Sequence, residues 1–320
     1  MKAVQKIVNR LDAWQQSHRL SAFLYAVIKK YGEDEAGYQA ALLAYYGFLS
    51  LFPLLLVLTT VAGLIGNHHP GFQADIIKSM TNYFPVLGNQ LSNHVHSLHK
   101  SGLALVIGIT LTLYGARGVA DVFRHGVNHI WQVPKEQRDG FPKALIKSLE
   151  LIIVGGLGLL LASILAGFAA GVGHGFAFRL LSILVNIFIL IWLFSFMLNA
   201  SLPSHVSIKK ILPGAASAAI GLVILQALGS YLLVRELKNL DALYSNFAIA
   251  LGLLFWIYLQ AQVLYYAVEI AAVKAHNVWP RSLTGDLTTA DKKSYSRLAK
   301  KEQVVAEEHI TARFHDKDES

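Results

Sequence analysis

Uncharged apolar stretches alternate with charged segments along the chain, and this pattern predicts its architecture. A helix needs about 20 mostly apolar residues to span a bilayer, whereas a strand of a transmembrane barrel needs only about 10. Six stretches contain no Asp, Glu, Lys or Arg, and they cover residues 36–74, 101–116, 151–178, 180–208, 211–234 and 242–268. The pattern therefore predicts an all-α integral membrane protein that folds as a six-helix bundle.

The second stretch is short, because Arg117 follows only 16 uncharged residues. Such a helix rises only about 24 Å, less than the roughly 30 Å of the hydrocarbon core. Extending the helix through residues 118–120 places Arg117 one turn inside the membrane, and a long arginine side chain reaches the headgroups from that depth. We therefore count this stretch as a span. Without it, the two termini would lie on opposite sides of the membrane.

Lysine and arginine are concentrated on one side of the predicted bundle. The N-terminal segment, the loop 117–150, the loop around Lys209 and the C-terminal tail carry 6, 6, 2 and 9 of them, and the loops on the other side carry 2, 1 and 2. Cytoplasmic loops of membrane proteins are enriched in these residues. Both termini are therefore predicted to be cytoplasmic. The predicted units are an N-terminal segment 1–35, a membrane domain 36–273 and a soluble, partly helical or disordered polar tail 274–320.

Composition narrows the function classes further. Hydrophobic residues make up 54% of the chain and charged residues only 15%, whereas a soluble domain carries about 25% charged residues. Cysteine is absent, which excludes disulfides and thiolate chemistry. The net charge is +8, but the tail has 9 basic and 8 acidic residues, and this near balance argues against a nucleic-acid partner. No phosphate-binding, dinucleotide-binding or hydrolase motif is present, and no cofactor is predicted.

The first apolar stretch contains a proline near its centre. Pro53 has no amide hydrogen to donate to the carbonyl of Leu49, so the first transmembrane helix is predicted to kink there. Ser50 lies one turn earlier, where it is placed to help satisfy the freed backbone, and Tyr45 lies on the same helix. Two interpretations stay open: a broken helix that lines a solute path, and a kink that is tolerated for packing.

A polar stripe follows the second span. Its residues recur every three to four positions and so share one helix face: Arg117, Asp121, His125 and Asn128. Arg117 and Asp121 are placed to pair at the inner membrane surface. Arg117 and Arg124 offer guanidinium groups that suit the phosphate or carboxylate of a headgroup. The alternative is the solvated face of a helix that leaves the membrane.

Glu269 follows 27 uncharged residues and lies near the cytoplasmic end of the last span. An ionisable residue at that depth is a functional candidate, and the alternative is a carboxylate that reaches water at the interface. The histidines do not complete a metal site. Those within residues 94–99 have no carboxylate nearby, and the pair His125 and His129 lacks the glutamate of a His-Glu-x-x-His motif. No metal is predicted.

Three motifs in order along the chain carry a family resemblance: Tyr45…Phe48-Leu49-Ser50-Leu51-Phe52-Pro53-Leu54-Leu55, Gly115-Ala116-Arg117…Asn128-His129-Ile130-Trp131 and Leu254-Phe255-Trp256-Ile257-Tyr258…Glu269. Over about residues 25–275 the chain resembles the bacterial YihY/virulence factor BrkB family of inner-membrane proteins. The resemblance implies six helices, the inner membrane and a role in the cell envelope, without a settled activity. Members have been labelled ribonuclease BN, but the His-x-His-x-Asp-His motif of zinc ribonucleases is absent.

Transport or flipping of an envelope component, a lipid or another amphiphile, is the leading functional hypothesis. Eight residues are the candidates for a transport path or headgroup contact: Tyr45, Ser50, Pro53, Arg117, Asp121, Arg124, Asn128 and Glu269. The alternative is a non-transporting scaffold that contacts envelope proteins through residues 67–100 and the tail. An enzyme is not expected. Transport predicts that Arg117, Asp121 and Glu269 border one cavity, whereas a scaffold predicts a closed apolar interior.

Overall fold

A computed structural model describes residues 2–66, 102–170, 176–237, 245–284 and 286–314. Within these residues the regular structure is entirely helical, with one short 3-10 turn at Lys135–Gln137. The nine helices described are α1 Lys2–Ser17, α2 Arg19–Glu33, α3 Ala36–Gly66, α4 Gly102–Ile130, α5 Lys143–Ala170, α6 Phe176–Ser201, α7 Ile208–Leu237, α8 Ser245–His276 and α9 Thr289–Lys300. The all-α prediction is confirmed for this part of the chain.

Helices α3 to α8 coincide with the six predicted spans. They contain 26 to 32 residues each, so at 1.5 Å per residue each is longer than the roughly 30 Å of a hydrocarbon core. Helix α4 runs without interruption past Arg117, as the extension of the short second span requires. Helix α8 continues to His276, past residue 268 where the uncharged stretch ends, and Glu269 is buried there against Lys30.

Three segments of the described chain are long and apolar enough to cross a membrane: Leu180–Ser201, Ile208–Gly229 and Ala250–His276. In an apolar stretch of 18 residues within each segment, only 28–33% of the residues are buried in the protein. Most of their apolar side chains therefore form an outer surface, which suits lipid and not water. The chain is a membrane protein. That all six long helices cross the bilayer stays a prediction.

The six long helices pack in a ring. Each of the helices α3 to α7 contacts the helix that follows it in the chain, and α8 contacts α3, which closes the ring. Helix α4 also contacts α6 and α8. Two glycines of α4 allow close approach: a Cβ on Gly115 would lie 3.0 Å from the Cβ of Ser50 on α3, and one on Gly126 would overlap the Tyr265 ring on α8. The second half of α4 is thereby fixed beside α8.

The two ends of the chain fold together at one end of the ring. Helix α2 packs against α3 and α8, and the chain after α8 returns over α1 and α2. The amide of Lys135 donates to the carbonyl of Lys301 at 3.2 Å, and that of Glu136 donates to Gln303 at 3.1 Å. We call α1, α2 and residues 277–314 the terminal layer. The tail, predicted to be partly helical or disordered, contains helix α9, and residues 277–303 pack against the protein and do not form a free extension.

Candidate functional site

Three charged side chains meet in the interior where α2, α4 and α8 come together. Lys30, Asp34 and Glu269 are each fully buried. The Lys30 ammonium donates to Glu269 Oε2 at 3.0 Å and to the carbonyl of Ile130 at 2.6 Å, and it also donates to the Asp34 carboxylate. Gln132 Nε2 donates to Asp34 Oδ1 at 3.0 Å. We call Lys30, Asp34, Gln132 and Glu269 the buried charge cluster.

Helix ends place these groups. Lys30 and Asp34 are four residues apart at the end of α2, where Asp34 is the C-cap, so their side chains meet. The residues after the ends of α2, α4 and α8 have left-handed backbone conformations, with φ values of 52° at Glu35, 51° at Gln132 and 50° at Asn277. Such a conformation costs about 1 kcal/mol or more in a residue with a side chain, and it persists where surrounding contacts hold it, often at functional sites.

The cluster contains one cation and two carboxylates. Burial alone lowers the pKa of Lys30, but the attraction of Glu269 and Asp34 outweighs burial and raises it, so the ammonium stays charged. Glu269 Oε1 is buried and has no hydrogen-bond partner among the described residues. A negative charge in excess is costly in an apolar interior. The cluster is therefore able to take up a proton or another cation.

Polar groups continue from the cluster along one side of α8. The Tyr31 ring on α2 stacks on Tyr266 with centroids 3.9 Å apart, and its hydroxyl donates to Gln262. Gln262 donates in turn to the hydroxyl of Tyr258. From Glu269 back to Tyr258 these groups extend about 16 Å along the helix, or three turns. We call Tyr31, Tyr258 and Gln262 the polar line of α8.

A second charged site lies between α4 and α5. Arg117 Nε is 3.4 Å from Asp121 Oδ2, and the two side chains are 54% and 44% exposed. The Ser148 hydroxyl donates to Asp121 Oδ1 at 2.5 Å, which holds the carboxylate toward α5. Arg117 therefore presents a guanidinium group at the surface of α4, next to its apolar first half, with a partner that fixes its position.

Of the predicted stripe, His125 is exposed and Asn128 is buried, and Arg124, the other predicted headgroup contact, is buried as well. Arg124 Nη1 donates to the carbonyl of Ala144 at 2.7 Å and to the Ser148 hydroxyl at 3.0 Å. Asn128 Nδ2 donates to the carbonyls of Arg124 and Ser201, both at 2.8 Å. These bonds join α4 to α5 and to the end of α6. Arg124 shares the Asp121 carboxylate with Arg117, with Nη1 3.6 Å from Oδ1, but its side chain is buried and does not lie at an open surface.

The candidates on α3 are Tyr45, Ser50 and Pro53, and Ser50 packs beside Gly115 of α4, two residues before Arg117. Tyr45 is exposed, and the Ser50 hydroxyl donates to the carbonyl of Gly47 at 2.8 Å. Ser50 therefore bonds to the backbone one turn back, and its role in satisfying the backbone freed by Pro53 stays a prediction. Helix α3 continues through Pro53 to Gly66. The Pro53 side chain lies outside the described residues, and the kink stays a prediction.

The sequence analysis singled out Glu269 but missed Lys30 and Asp34. Two features of the sequence could have indicated Lys30 and Asp34. They are four residues apart at the end of a helix, and a buried carboxylate such as Glu269 needs a cation as a partner. No hydrogen bond or ion pair between described residues joins Glu269 to Arg117 or Asp121. The cavity shared by those three residues stays a prediction.

The tail attaches to α2 on the side next to the cluster. Arg281 is fully buried, and its guanidinium group forms two bonds to the Glu33 carboxylate, at 2.7 and 2.9 Å. Its Nε donates to Asp291 Oδ1 at 2.7 Å, and Lys29 Nζ donates to the same oxygen at 2.9 Å. We call Lys29, Glu33, Arg281 and Asp291 the tail junction. Helix α2 thus carries two adjacent ionic networks.

A family profile described as Virulence factor BrkB matches residues 27–288, which is most of the chain and includes the buried charge cluster and every residue of the tail junction except Asp291. The chain belongs to this family. The match begins after α1 and ends before α9, so those two helices lie outside the part that defines BrkB proteins.

Two BrkB-like relatives are similar over most of their length. "Putative ribonuclease-like protein YfkH" of Bacillus subtilis (strain 168) is 26% identical over 267 residues, which are 79% of this chain and 94% of that protein. "Inner membrane protein YhjD" of Escherichia coli (strain K12) is 22% identical over 293 residues, which are 83% of this chain and 85% of that protein. No solved structure matches the chain.

Two of the three BrkB motifs of the sequence contribute groups to the buried charge cluster. The segment Asn128–Trp131 ends α4, and its Ile130 carbonyl accepts a hydrogen bond from Lys30. The motif of the last helix contains Tyr258, at the far end of the polar line, and Glu269. The resemblance therefore points to the same interior site that the ionic contacts define.

Histidines belong to other contacts in the described structure. The His125 and His129 rings lie 6.4 Å apart, and His129 Nε2 is 3.0 Å from the Lys301 ammonium of the tail. Among the described residues, no group of three His, Cys, Asp or Glu residues is placed to hold a metal ion. The histidines of residues 94–99 lie outside the described part of the chain.

The stability of the docked tail is expected to depend on pH through the carboxylate of Asp291. Burial alone raises its pKa, but bonds from the Ser282 amide, the Thr288 hydroxyl, Lys29 and Arg281 outweigh burial and lower it below the ordinary value of 3.8. A lowered pKa contributes stability that is complete above the unfolded value and is lost as pH falls toward the folded value. We expect hydrogen exchange in residues 277–303 to accelerate below about pH 4.

A neutral variant tests this assignment. Asp291→Asn is expected to exchange faster already at pH 7 and to show a much smaller further increase in acid. Glu307→Gln, at an exposed tail position, is the matched control and keeps the wild-type profile. If Asp291→Asn retains the full acid response, Asp291 does not control docking.

Proposed function

We propose that this BrkB-family protein transports or flips an amphiphilic envelope component, a lipid or a related molecule, across the bacterial inner membrane. In this proposal α3 to α8 cross the bilayer six times and both termini are cytoplasmic. The predicted charge distribution supports this orientation, and the name of the relative YhjD supports the location. The activity is physical movement of a molecule, with no enzymatic step and no nucleic-acid substrate.

The observation that carries the proposal is the buried charge cluster with its partnerless carboxylate oxygen. Ionisable groups inside membrane domains are costly, and they mark substrate paths, ion paths and proton relays. The polar line extends the cluster along α8, an otherwise apolar helix. A polar headgroup that moves through the bundle would find hydrogen-bonding groups there, whereas a closed apolar interior would exclude it.

The position of the Arg117–Asp121 ion pair supports the proposal that the substrate is amphiphilic. They form a half-exposed ion pair on α4, at the predicted level of the inner headgroups. A guanidinium group binds phosphate with two parallel hydrogen bonds. We propose that Arg117 contacts the substrate headgroup on the cytoplasmic side, and that Asp121 and Ser148 hold it in position.

Arg117→Ala tests this role in liposomes that contain the purified protein and a headgroup-labelled phospholipid. An impermeant reductant bleaches the outer leaflet, and the remaining signal then decays at the rate of lipid movement. A charge-assisted contact contributes about 1.5–3 kcal/mol, so the variant is expected to be about 10- to 100-fold slower. Lys143→Ala, at an exposed position of α5, is the matched control. If lipid moves no faster in liposomes with the wild-type protein than in protein-free liposomes, transport of this lipid class is refuted. An unchanged rate of lipid movement in Arg117→Ala would refute the headgroup contact.

A scaffold function is the second candidate, and the ordered terminal layer favours it. Val304 and Val305 remain exposed directly after the buried Gln303, which offers an apolar surface to a protein partner. A photo-crosslinking residue at position 304 tests this function in cells. A scaffold predicts one defined adduct together with inactive liposomes. Active liposomes without an adduct exclude it.

The name of YfkH raises a nuclease function, which we do not propose for this chain. That name describes the relative, and this sequence lacks the His-x-His-x-Asp-His motif of zinc ribonucleases. A nuclease would also need RNA on the same side as its site. The predicted position of residues 94–99 is outside the cell.

A further inference from the structure

Helix α1 has two faces in different environments. On one face Asp12 and Gln15 are buried. The Asp12 carboxylate accepts hydrogen bonds from the Ser282 hydroxyl at 3.1 Å, the Leu283 amide at 3.0 Å and the Thr284 hydroxyl at 3.1 Å. This face is therefore docked on the tail, which fixes the rotation of α1 about its axis.

The other face is apolar and uncovered. Ile7, Leu11 and Trp14 are four and three residues apart, so they form one stripe, and they are 60%, 55% and 57% exposed. Lys6 and Arg10 are exposed as well and flank this stripe on the side away from Asp12. An apolar stripe beside a row of cations is the pattern of a helix that lies in a membrane interface.

Uncovered apolar side chains lead from α1 toward the membrane domain. Helix α1 packs against α2, and α2 packs against the start of α3. The exposed large apolar side chains on α2 and on the first turns of α3 are Leu20, Leu24, Ile28, Tyr38, Leu42 and Tyr45. The stripe of α1 is thus joined through the chain to a surface that faces lipid when α3 crosses the membrane.

We propose that α1 lies in the interface of the inner leaflet, with Ile7, Leu11 and Trp14 toward the acyl chains. Lys6 and Arg10 then contact anionic headgroups such as phosphatidylglycerol, whose negative surface potential attracts basic segments. This site lies outside the BrkB match, which begins at residue 27. It rests on the proposed membrane crossing of α3 and is independent of transport, so inactive liposomes would leave it standing.

Trp14 is a direct probe of this position. Full-length protein is placed in nanodiscs of phosphatidylglycerol and phosphatidylcholine, with or without brominated acyl chains. Subtracting the fluorescence of Trp14→Phe from that of the wild type isolates Trp14 from the other tryptophans. Brominated lipid is expected to quench the Trp14 signal, and acrylamide in the water is expected to have little effect. Quenching by acrylamide alone, or by neither agent, would overturn the proposal, because Trp14 would then face water or another protein surface.

Two double variants separate the apolar and ionic contributions. Ile7→Ser with Leu11→Ser is expected to abolish quenching by brominated lipid, whereas the matched control Val304→Ser with Val305→Ser keeps it. Lys6→Gln with Arg10→Gln is expected to remove the increase in quenching that the wild type shows as the phosphatidylglycerol fraction rises. Variants are compared only when they elute as the wild type does. Quenching that persists in the serine pair, or an unchanged lipid response in the glutamine pair, contradicts the inference.

Discussion

Lys30→Met is expected to lower the free energy of unfolding by about 3–5 kcal/mol, because removing one partner of a buried ion pair leaves uncompensated charge in the interior. The variant keeps the aliphatic volume but leaves Asp34 and Glu269 buried without their shared cation. The measurement is the thermal denaturation midpoint of the purified protein in detergent, determined from the loss of monodisperse protein on heating.

Glu269→Gln is the informative comparison for this prediction. It leaves Lys30 and Asp34 as a one-to-one pair and removes the excess negative charge, so we expect a cost below about 1 kcal/mol or a gain in stability. Lys274→Met, at an exposed position of α8, is the control for the chemical change itself. If Lys30→Met melts with the wild type, or if Glu269→Gln is equally damaging, the charge balance of the cluster is not as described.

Arg281→Ala is expected to release the tail from α2. Its guanidinium group is fully buried between Glu33 and Asp291, so the truncation removes the cation from two carboxylates. A cost of about 3–5 kcal/mol corresponds to an increase of more than 100-fold in the population of the undocked tail. Limited proteolysis within residues 282–314 measures this population while the helices of the membrane domain stay uncut.

A conservative variant and a surface control make this result specific. Arg281→Lys keeps the charge but cannot form two parallel bonds to Glu33, so its cleavage rate is expected to lie between those of the wild type and Arg281→Ala. Lys300→Ala removes an exposed cation from α9 and is expected to be cleaved at the wild-type rate. Equal cleavage of Arg281→Ala and the wild type would mean that the tail junction does not hold the tail.

The long helices could be predicted because burial in lipid restricts composition over about 20 residues, and that restriction is local. The end of α8 could not be predicted in the same way. Glu269 marks the end of an uncharged stretch, but its charge is neutralised by Lys30, which is 239 residues away in sequence. A charge count along one segment cannot include a partner that tertiary structure supplies.

The polar stripe of α4 was predicted as one surface, but the structure divides it. Arg117 and Asp121 stay half exposed and His125 is exposed, whereas Asn128 is buried, as is Arg124 beside the stripe. Helical periodicity gives the direction of a side chain relative to its own axis, but not which neighbour covers it. Ala144 and Ser201, which accept these hydrogen bonds, lie in segments that the sequence pattern treats as independent.

The tail shows the same limit for electrostatics. Its balanced charges predicted a solvated segment, since balanced charge is typical of surfaces. In the folded chain these charges are paired over long separations, as between Arg281 and Glu33, 248 residues apart. The charge composition of the tail does not distinguish a solvated tail from one whose charged side chains pair with defined partners.

Membrane sidedness is the central claim, because the headgroup role of Arg117 and the position of α1 both depend on it. The chain contains no cysteine, so single cysteines at Asn9, Ser92 and Glu307 report the side directly. An impermeant maleimide applied to intact spheroplasts is expected to label Ser92→Cys at once, and Asn9→Cys and Glu307→Cys only after lysis. Labelling of either terminal position in intact spheroplasts, or of Ser92→Cys only after lysis, would contradict the account.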